Sequence, residues 1–366
     1  MTDLDYMHRA ISLAKQGLGW TNPNPLVGCV IVKNNQIVAE GYHEKIGSWH
    51  AERNAILNCQ TDLTGATAYI TLEPCCHHGR TPPCSTLLIE RGIKKVVIGS
   101  RDPNPLVAGQ GAAQLRQAGI NVVEDFLKAE CDKLNPIFFH YIQTKRPYVL
   151  MKYAMTADGK IATHSGQSKW ITGEQARANV QATRHQYSAI MVGIETVLAD
   201  DPLLNCRIPN AKQPIRIVCD SQLRTPLECQ LVQTAKEYHT IIATACDDLQ
   251  KIERFQPLGV RILVCKAKNK RVDLHDLLQK LGEMQIDSLL LEGGSSLNFS
   301  ALESGIVNRI HCYIAPKLVG GKQAKTPIGG QGINDIANAV KLKLISSELI
   351  GNDILLDYEV LNPPFR

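Results

Sequence analysis

The sequence has no long uninterrupted apolar run, and aromatic residues make up only 5% of its 366 positions. No stretch approaches the roughly 20 apolar residues that a membrane-spanning helix requires. The N-terminus, Met1-Thr2-Asp3-Leu4-Asp5, lacks a signal-peptide core. The 12 cysteines are scattered and form no disulfide-like framework, which is typical of reduced thiols. We therefore expect a cytoplasmic protein with no membrane partner.

Basic and low-complexity segments are also missing. The chain has 40 Lys and Arg residues against 35 Asp and Glu, a mild net charge of +5. Nucleic-acid-binding surfaces usually combine clustered basic and stacking aromatic side chains. A nucleic acid is therefore not the expected partner. The charge suits a phosphorylated small molecule.

The length predicts two domains, because a single core rarely grows beyond about 250–300 residues. Strand-like and helix-like segments alternate through the first part of the chain, and the pattern restarts with an apolar strand at 148–153. No G-x-G-x-x-G motif is present, so the ordinary Rossmann fingerprint is absent. We predict two α/β domains, residues 1–145 and 146–366.

The most informative stretch begins at His50 and ends at Cys84. It opens with H-A-E and closes with a P-C pair at Cys75 and a second cysteine at Cys84. One imidazole, two thiolates and an open fourth position form a catalytic zinc site. H-x-E followed by P-C-x-x-C is the signature of zinc nucleobase deaminases, although eight residues separate the cysteines here. We predict that His50, Cys75 and Cys84 bind zinc.

Glu52 completes this pattern as the predicted proton shuttle. Zinc makes its bound water acidic enough to supply hydroxide near neutral pH. A carboxylate two residues from a ligand can take the water's proton and pass it to a ring nitrogen, then to the departing amine. Helical composition after His50 places that residue in a first helical turn. The pair Pro74-Cys75 predicts a second helix start, where free N–H groups stabilise a thiolate.

Two alternatives remain for this stretch. One is a closed structural zinc site in which Cys76, His77 or His78 supplies a fourth ligand. The other is a non-catalytic, zinc-stabilised binding protein. Both leave Glu52 unexplained, because a structural site has no use for an acid beside the metal. A nucleoside or tRNA deaminase with an appended domain is a further, less favoured alternative, because aromatic content is only 5% and the net charge only +5.

In the second half, a buried strand ends in Gly293-Gly294-Ser295-Ser296, which then opens a helix. Glycines let backbone amides approach a phosphate, and a helix N-terminus stabilises the anion; a plain turn is the alternative. After another strand, Asp220-Ser221 with Arg224 suits a ribose 2′-phosphate, which favours NADPH over NADH. A solvated turn explains these residues equally well.

Together, these stretches resemble the bifunctional riboflavin-biosynthesis deaminase–reductases of bacteria over essentially the whole chain. The resemblance implies a cytidine-deaminase-like three-layer α/β/α domain followed by a dihydrofolate-reductase-like α/β domain. The long insert between the two cysteines is a feature of this family. The motifs that carry the resemblance are 22–28 (NPNPLVG), 50–52 (HAE), 74–84 (PCCHHGRTPPC), 102–105 (DPNP), 158–160 (DGK), 170–172 (WIT), 196–202 (TVLADDP) and 291–294 (LEGG).

The resemblance implies two successive reactions. The first is zinc-dependent hydrolytic deamination of 2,5-diamino-6-ribosylamino-4(3H)-pyrimidinone 5′-phosphate. The second is NADPH-dependent reduction of its ribosyl group to ribityl. A homodimer or homotetramer that contacts largely through the second domain is also implied. The deaminase substrate contacts implied are Asn24, His43, Arg80, Asp102 and Asn104.

The resemblance also assigns residues in the second half. Two arginines suit a phosphate through bidentate contacts, and Lys152 is the candidate proton donor, with a solvated surface charge as the alternative. Trp170 and Leu204 equally suit packing roles. The implied substrate contacts are Lys152, Ser168, Arg184, Leu204, Arg207 and Glu292. The implied cofactor contacts are Ala154, Trp170, Thr172, Thr196, Asp200, Ser221, Gly294, Ser295, Ser296 and Leu297.

Overall fold

The computed structural model describes residues 1–76, 82–104 and 107–361. The chain divides into two compact units, Met1–Lys145 and Arg146–Arg366, and each contains one large β-sheet. Within the described ranges, no helix combines the length and apolarity needed to cross a membrane.

The sheet of the first unit has the strand order β2-β1-β3-β4-β5. Its strands are β1 (Gly28–Lys33), β2 (Gln36–Tyr42), β3 (Thr67–Leu72), β4 (Lys95–Ser100) and β5 (Asn121–Val123). Strand β1 pairs antiparallel with β2 and β3, whereas β3, β4 and β5 are parallel. The α-helices are α1 (Asp3–Ala14), α2 (Ala51–Leu57), α3 (Cys84–Glu90), α4 (Gln110–Gln117), α5 (Lys128–Asp132) and α6 (Pro136–Thr144).

Apolar residues on both faces of β1 give this unit two hydrophobic layers. Cys29 and Ile31 pack with residues of α2, α3 and α4. Val30 and Val32 point to the opposite face and pack with α1 and α5, because successive strand residues alternate between faces. Helices therefore cover both sides of the sheet, as expected for a three-layer α/β/α domain.

The sheet of the second unit has the order β10-β9-β8-β7-β13-β6-β14-β16-β15. Its strands are β6 (Tyr148–Thr156), β7 (Ala189–Gly193), β8 (Ile215–Cys219), β9 (Thr240–Thr244), β10 (Arg261–Val264), β13 (Ser288–Leu291), β14 (Arg309–Ala315), β15 (Leu342–Ile350) and β16 (Asp353–Val360); β11 (Ala267–Lys268) and β12 (Arg271–Val272) form a separate hairpin. The α-helices are α7 (Glu174–Gln186), α8 (Ile194–Asp200), α9 (Gln230–Gln233), α10 (Leu249–Glu253), α11 (Leu274–Glu283) and α12 (Ser295–Glu303).

Strand β13 pairs in parallel with both β6 and β7, and its register with β6 brings Lys152 and Glu292 to the same height in the sheet. Leu291 of β13 is paired with Met151 of β6, so Glu292 follows at the level of Lys152. Helices α11 and α12 pack against the sheet in the main core. Helix α7 packs with Tyr313 in a separate cluster.

The helix start expected at Cys75 is wrong. Cys75 lies in the loop after β3, and α3 begins at Cys84, directly after Pro83. Proline is preorganised for the start of a helix, so the 82–83 pair is the stronger start signal. The N–H of Cys84 lies in the first helical turn and donates to the Cys75 thiolate at 3.3 Å. His50 is the N-cap of α2 and precedes its first turn.

Candidate active sites

The three predicted zinc donors come together in the first unit. The Nδ1 atom of His50 lies 3.5 Å from the sulfur of Cys75 and 3.5 Å from that of Cys84. All three donor atoms lie within 4.8 Å of one another. A tetrahedral zinc with ordinary Zn–S and Zn–N bonds needs N···S separations of about 3.6 Å. The donor set and its spacing therefore fit zinc.

The surroundings favour the thiolate form of Cys75. A hydrogen bond from the Cys84 thiol lowers the pKa of Cys75 below its ordinary value, and His50 and the Cys84 N–H add to this effect despite burial. The thiolate is the form of cysteine that binds a metal. The N–H that stabilises the Cys75 thiolate belongs to the first turn of α3, whereas the sequence pattern had placed Cys75 itself at a helix start.

Glu52 lies in the first turn of α2 and is only 3% exposed. Burial, followed by the negative charge of Cys75, raises its pKa to about 7. A carboxyl group with this pKa can both accept and release a proton near neutral pH.

Asn24 and His43 form a hydrogen-bonded pair beside the donor cluster. The imidazole of His43 packs edge-on against that of His50, with ring centroids 5.6 Å apart. Burial lowers the pKa of His43, which favours the neutral ring. Its Nδ1 donates to the carbonyl of Trp49 at 3.0 Å, so Nε2 is the acceptor that faces the Asn24 amide at 3.3 Å.

Two further predicted deaminase contacts, Asp102 and Asn104, lie after β4. The carboxylate of Asp102 accepts the N–H of Asn104 at 2.8 Å, which shapes this turn. Arg80 lies outside the described residues. The sequence prediction omitted Glu73, a buried carboxylate that accepts backbone N–H groups of Asp102, Gly109 and Ala112. The position of Glu73 directly after the buried strand β3 could have indicated such a role from the sequence.

In the second unit, Lys152, Arg184 and Glu292 form a charge cluster whose side chains are 16%, 14% and 13% exposed. Arg184 donates to both oxygens of Glu292, at 3.0 and 3.1 Å. The ammonium of Lys152 lies 3.9 Å from the same carboxylate and 5.7 Å from the centre of the Tyr313 ring. The cluster contains two cations and one anion.

Burial and the neighbouring charges shift the pKa values of two groups in this cluster, Glu292 and Lys152. Burial alone would raise the pKa of Glu292, but Arg184, Lys152 and Arg207 lower it to about 2. Burial, with some repulsion from Arg184, lowers the pKa of Lys152 despite the attraction of Glu292. A lysine with a lowered pKa gives up its proton more easily than one in water.

The other predicted substrate contacts are Leu204, Arg207 and Ser168. Leu204 is 5% exposed and has a left-handed backbone with φ of 54°, whereas Arg207 is exposed. Ser168 donates to the carboxylate of Asp200 at 3.5 Å, and the ammonium of Lys169 lies 3.9 Å from the same group. Ser168 and Asp200, predicted for substrate and cofactor respectively, are therefore direct neighbours.

Arg177, which the sequence analysis did not single out, contacts both Trp170 and Thr172. The indole of Trp170 is 60% exposed, with the guanidinium of Arg177 4.7 Å from its ring centre. Arg177 also donates to the Thr172 carbonyl at 2.7 Å, and Lys317 donates to the carbonyl of Trp170 at 2.8 Å. The position of Arg177 in the first turn of α7, just after the 170–172 motif, could have indicated this contact from the sequence.

The predicted glycine-rich turn is the N-terminus of α12. Gly294 is the N-cap, and no side chain within the described residues caps this helix. A Cβ added to Gly294 would lie 3.4 Å from Oγ1 of Thr196, so these two cofactor candidates approach closely. Ser295, Ser296 and Leu297 form the first turn.

The last two cofactor candidates lie on or after strands. Ala154 is half-buried on β6. Ser221 follows β8, and its hydroxyl accepts the N–H of Val272 at 3.0 Å. The Ser221 hydroxyl therefore already has a hydrogen-bond partner in the protein backbone.

Comparison with known proteins identifies both units. Residues 1–100 match the family model "Cytidine and deoxycytidylate deaminase zinc-binding region", and residues 147–356 match "RibD C-terminal domain". The riboflavin biosynthesis protein RibD of Actinobacillus pleuropneumoniae is 84% identical over 363 residues, which cover 99% of this chain and 96% of that protein.

Solved structures agree over the whole chain. Acinetobacter baumannii RibD (form 1) is similar with a TM-score of 0.88 and 38% identity, over 98% of this chain and 99% of that one. The diaminohydroxyphosphoribosylaminopyrimidine deaminase/5-amino-6-(5-phosphoribosylamino)uracil reductase of Thermotoga maritima gives a TM-score of 0.88 and 38% identity, over 98% of each chain.

These matches confirm the predicted fold class and the two enzymatic halves. The first domain is a zinc-binding deaminase domain that acts on small-molecule pyrimidines, and the second is a reductase domain. The chain therefore belongs to the RibD family of riboflavin-biosynthesis enzymes, which join a deaminase and a reductase in one polypeptide.

Proposed function

We propose that the chain catalyses both reactions named for its Thermotoga maritima relative. The first domain replaces one amine of the diaminopyrimidinone ribosylamino phosphate with oxygen. The second reduces the ribosyl group of that product to a ribityl chain. The observation that carries this proposal is the donor set of His50, Cys75 and Cys84 beside the buried carboxyl of Glu52.

In the deaminase, we assign His50, Cys75 and Cys84 to hold the metal. When bound, zinc supplies the Lewis acidity that makes a water molecule nucleophilic near neutral pH. Glu52 accepts a proton from the attacking water and delivers protons to the ring nitrogen and the departing amine. Water adds to the ring carbon, the carbon–nitrogen bond breaks, and ammonia leaves.

The deaminase substrate pocket is assigned to Asn24, His43, Arg80, Asp102 and Asn104. The neutral ring of His43, oriented by the Trp49 carbonyl, offers the Asn24 side chain an acceptor. This arrangement fixes the Asn24 amide for a polar group of the pyrimidine. Arg80 is assigned by family position alone.

In the reductase, Lys152 is assigned as the proton donor to the sugar oxygen as the ring opens. Its lowered pKa supports this role. When bound, NADPH supplies the hydride. Arg184 is already paired with Glu292, so exposed Arg207 is the better candidate for the substrate phosphate. Ser168 and Leu204 complete the assigned substrate contacts.

The cofactor site is assigned to residues around the start of α12. Its uncapped N–H groups suit a phosphate of the dinucleotide, and the lack of a side chain at Gly294 leaves room for close approach. The remaining assignments are Ala154, Trp170, Thr172, Thr196, Asp200, Ser221, Ser295, Ser296 and Leu297.

A product analysis tests the two activities together. Zinc-loaded protein is incubated with the diaminopyrimidinone ribosylamino phosphate, first alone and then with NADPH, and the products are identified by mass. We expect exchange of one amino group for oxygen, followed by the gain of two hydrogens. Gain of two hydrogens without prior loss of the amine would contradict the proposed order.

The proposal includes a cytoplasmic homodimer or homotetramer that contacts through the second domain. All 12 cysteines are free, which suits a reducing compartment. Edge strand β15 exposes Leu344 and Leu349 at 53% and 75%, and an exposed apolar edge strand favours association. Sedimentation of wild type and a double lysine variant at these two positions tests this: dissociation of the variant is expected, and a monomeric wild type would contradict it.

A further inference from the structure

The Leu203–Arg207 segment, which carries two proposed substrate contacts of the reductase, is held by side chains that lie elsewhere in the sequence. Gln181 and Arg184 belong to α7, Arg216 belongs to β8, and Gln213 lies just before β8. Hydrogen bonds from these four residues reach the backbone of Leu203, Asn205, Cys206 and Arg207.

Two arginines hold the carbonyl groups on either side of Leu204. The guanidinium of Arg216 donates to the Leu203 carbonyl at 3.0 Å, and that of Arg184 donates to the Asn205 carbonyl at 3.0 Å. Leu204 itself has a φ of 54°. A non-glycine residue in this region is strained and persists where its surroundings over-determine it. The two flanking bonds supply that constraint.

Two glutamines hold the end of the segment. The amide of Gln213 forms a reciprocal pair with Cys206: its Oε1 accepts the Cys206 N–H at 2.8 Å, and its Nε2 donates to the Cys206 carbonyl at 2.8 Å. The Oε1 of Gln181 accepts the Arg207 N–H at 2.9 Å. The Cys206 thiol donates to the Gln181 carbonyl at 3.3 Å.

We propose that Gln213 and Gln181 are positioning residues of the reductase, which fix the backbone of Cys206 and Arg207 so that the Arg207 guanidinium is held for the substrate phosphate. Neither glutamine touches the charge cluster in the described structure, so both act through Arg207. The inference rests on the proposed function, because it takes Arg207 as a substrate contact. Preorganising a contact residue lowers the cost of ordering it when substrate binds.

The test is Gln213→Ala, because Gln213 is exposed and its removal leaves the core intact. The KM of the reductase for the deaminated substrate should rise about five- to tenfold, the worth of one or two hydrogen bonds. The KM for NADPH, the kcat at saturation and the deamination rate should stay within about twofold. Gln181→Ala should also raise the substrate KM.

The matched control is Gln279→Ala. Gln279 is an exposed glutamine of α11 in the same unit, and its amide donates to Glu283 at 3.3 Å. This variant should leave both KM values unchanged. A similar rise in the substrate KM for Gln279→Ala would show a general effect of surface substitution and overturn the inference.

Repeating Gln213→Ala in an Arg207→Met background separates this inference from the proposed function. If Gln213 acts through Arg207, the added substitution should change the substrate KM by less than about twofold. An equal rise in both backgrounds overturns the positioning role. If Arg207→Met raises KM but Gln213→Ala does not, the positioning role alone fails. If Arg207→Met has no effect, the assignment of Arg207 fails, and this inference fails with it.

Discussion

The guanidinium of Arg184 and the carboxylate of Glu292 form two parallel hydrogen bonds, from Nε at 3.0 Å and from Nη2 at 3.1 Å. Such bidentate pairs are strong and directional. The pair connects α7 to the end of β13, and Lys152 of β6 lies beside it. Removing one partner would leave a buried charge without compensation, which is strongly destabilising.

Glu292→Gln should therefore destabilise the reductase domain in a pH-dependent way. Burial alone would raise the pKa of Glu292, but Arg184 and Lys152 lower it to about 2, below the unfolded value of about 4.3. The stabilisation is complete above the unfolded pKa and is lost as the pH falls towards the folded one. The difference in free energy of unfolding from wild type should shrink from about pH 5 to about pH 2, as measured by urea titration. A pH-independent difference would contradict this account.

Glu52→Gln should separate metal binding from chemistry. The amide keeps the shape of the side chain but cannot accept and return a proton. Deamination, measured as ammonia release, should fall by about 10²- to 10⁴-fold, while the zinc content of the purified protein stays at the wild-type level. Deamination at the wild-type rate would show that another group moves the proton.

Cys84→Ser should remove both zinc and deamination, because it deletes one of three donors. Cys76→Ser is the matched control: the Cys76 thiol contacts Gln110 at 3.8 Å and is not part of the donor group. We expect the control to keep its zinc and its activity, as measured by elemental analysis and ammonia release. Loss of zinc from Cys76→Ser would support a closed structural site with a fourth protein ligand.

Arg216→Met should destabilise the second domain without involving the charge cluster. The Arg216 side chain is fully buried. Its removal should cost roughly 3–5 kcal/mol of unfolding free energy, because several buried acceptors lose their donor. Exposed Arg261→Met should cost less than about 0.5 kcal/mol. Similar denaturation midpoints for the two variants would refute this. The acceptors are the hydroxyls of Thr234 and Thr240 and the carbonyls of Leu203, Leu231 and Tyr238.

The identity of the zinc donors could be predicted from the sequence, because zinc binding requires particular residue types. An imidazole and two thiolates are needed wherever they lie in the fold, and the structure brings His50, Cys75 and Cys84 together. The position at which the neighbouring helix begins was harder to predict. The P-C pair at Cys75 looks like a helix start, but the helix begins at Cys84, where two prolines precede it.

Contacts that use backbone atoms could not be predicted from sequence. The amide of Gln213 pairs with the backbone of Cys206, and Glu73 holds the N–H of Gly109. Any residue type offers the same N–H and carbonyl groups, so no pattern identifies these partners. Only the folded chain shows that Glu73 is buried against a loop that follows another strand.

The most direct test of the two-site account is a stepwise assay on the purified, zinc-loaded protein. Ammonia release is measured from the diaminopyrimidinone ribosylamino phosphate without NADPH, and NADPH oxidation is followed after its addition. We predict complete deamination first, then oxidation of one NADPH for each ammonia released. Deamination without any NADPH oxidation would contradict the claim that both activities belong to this chain.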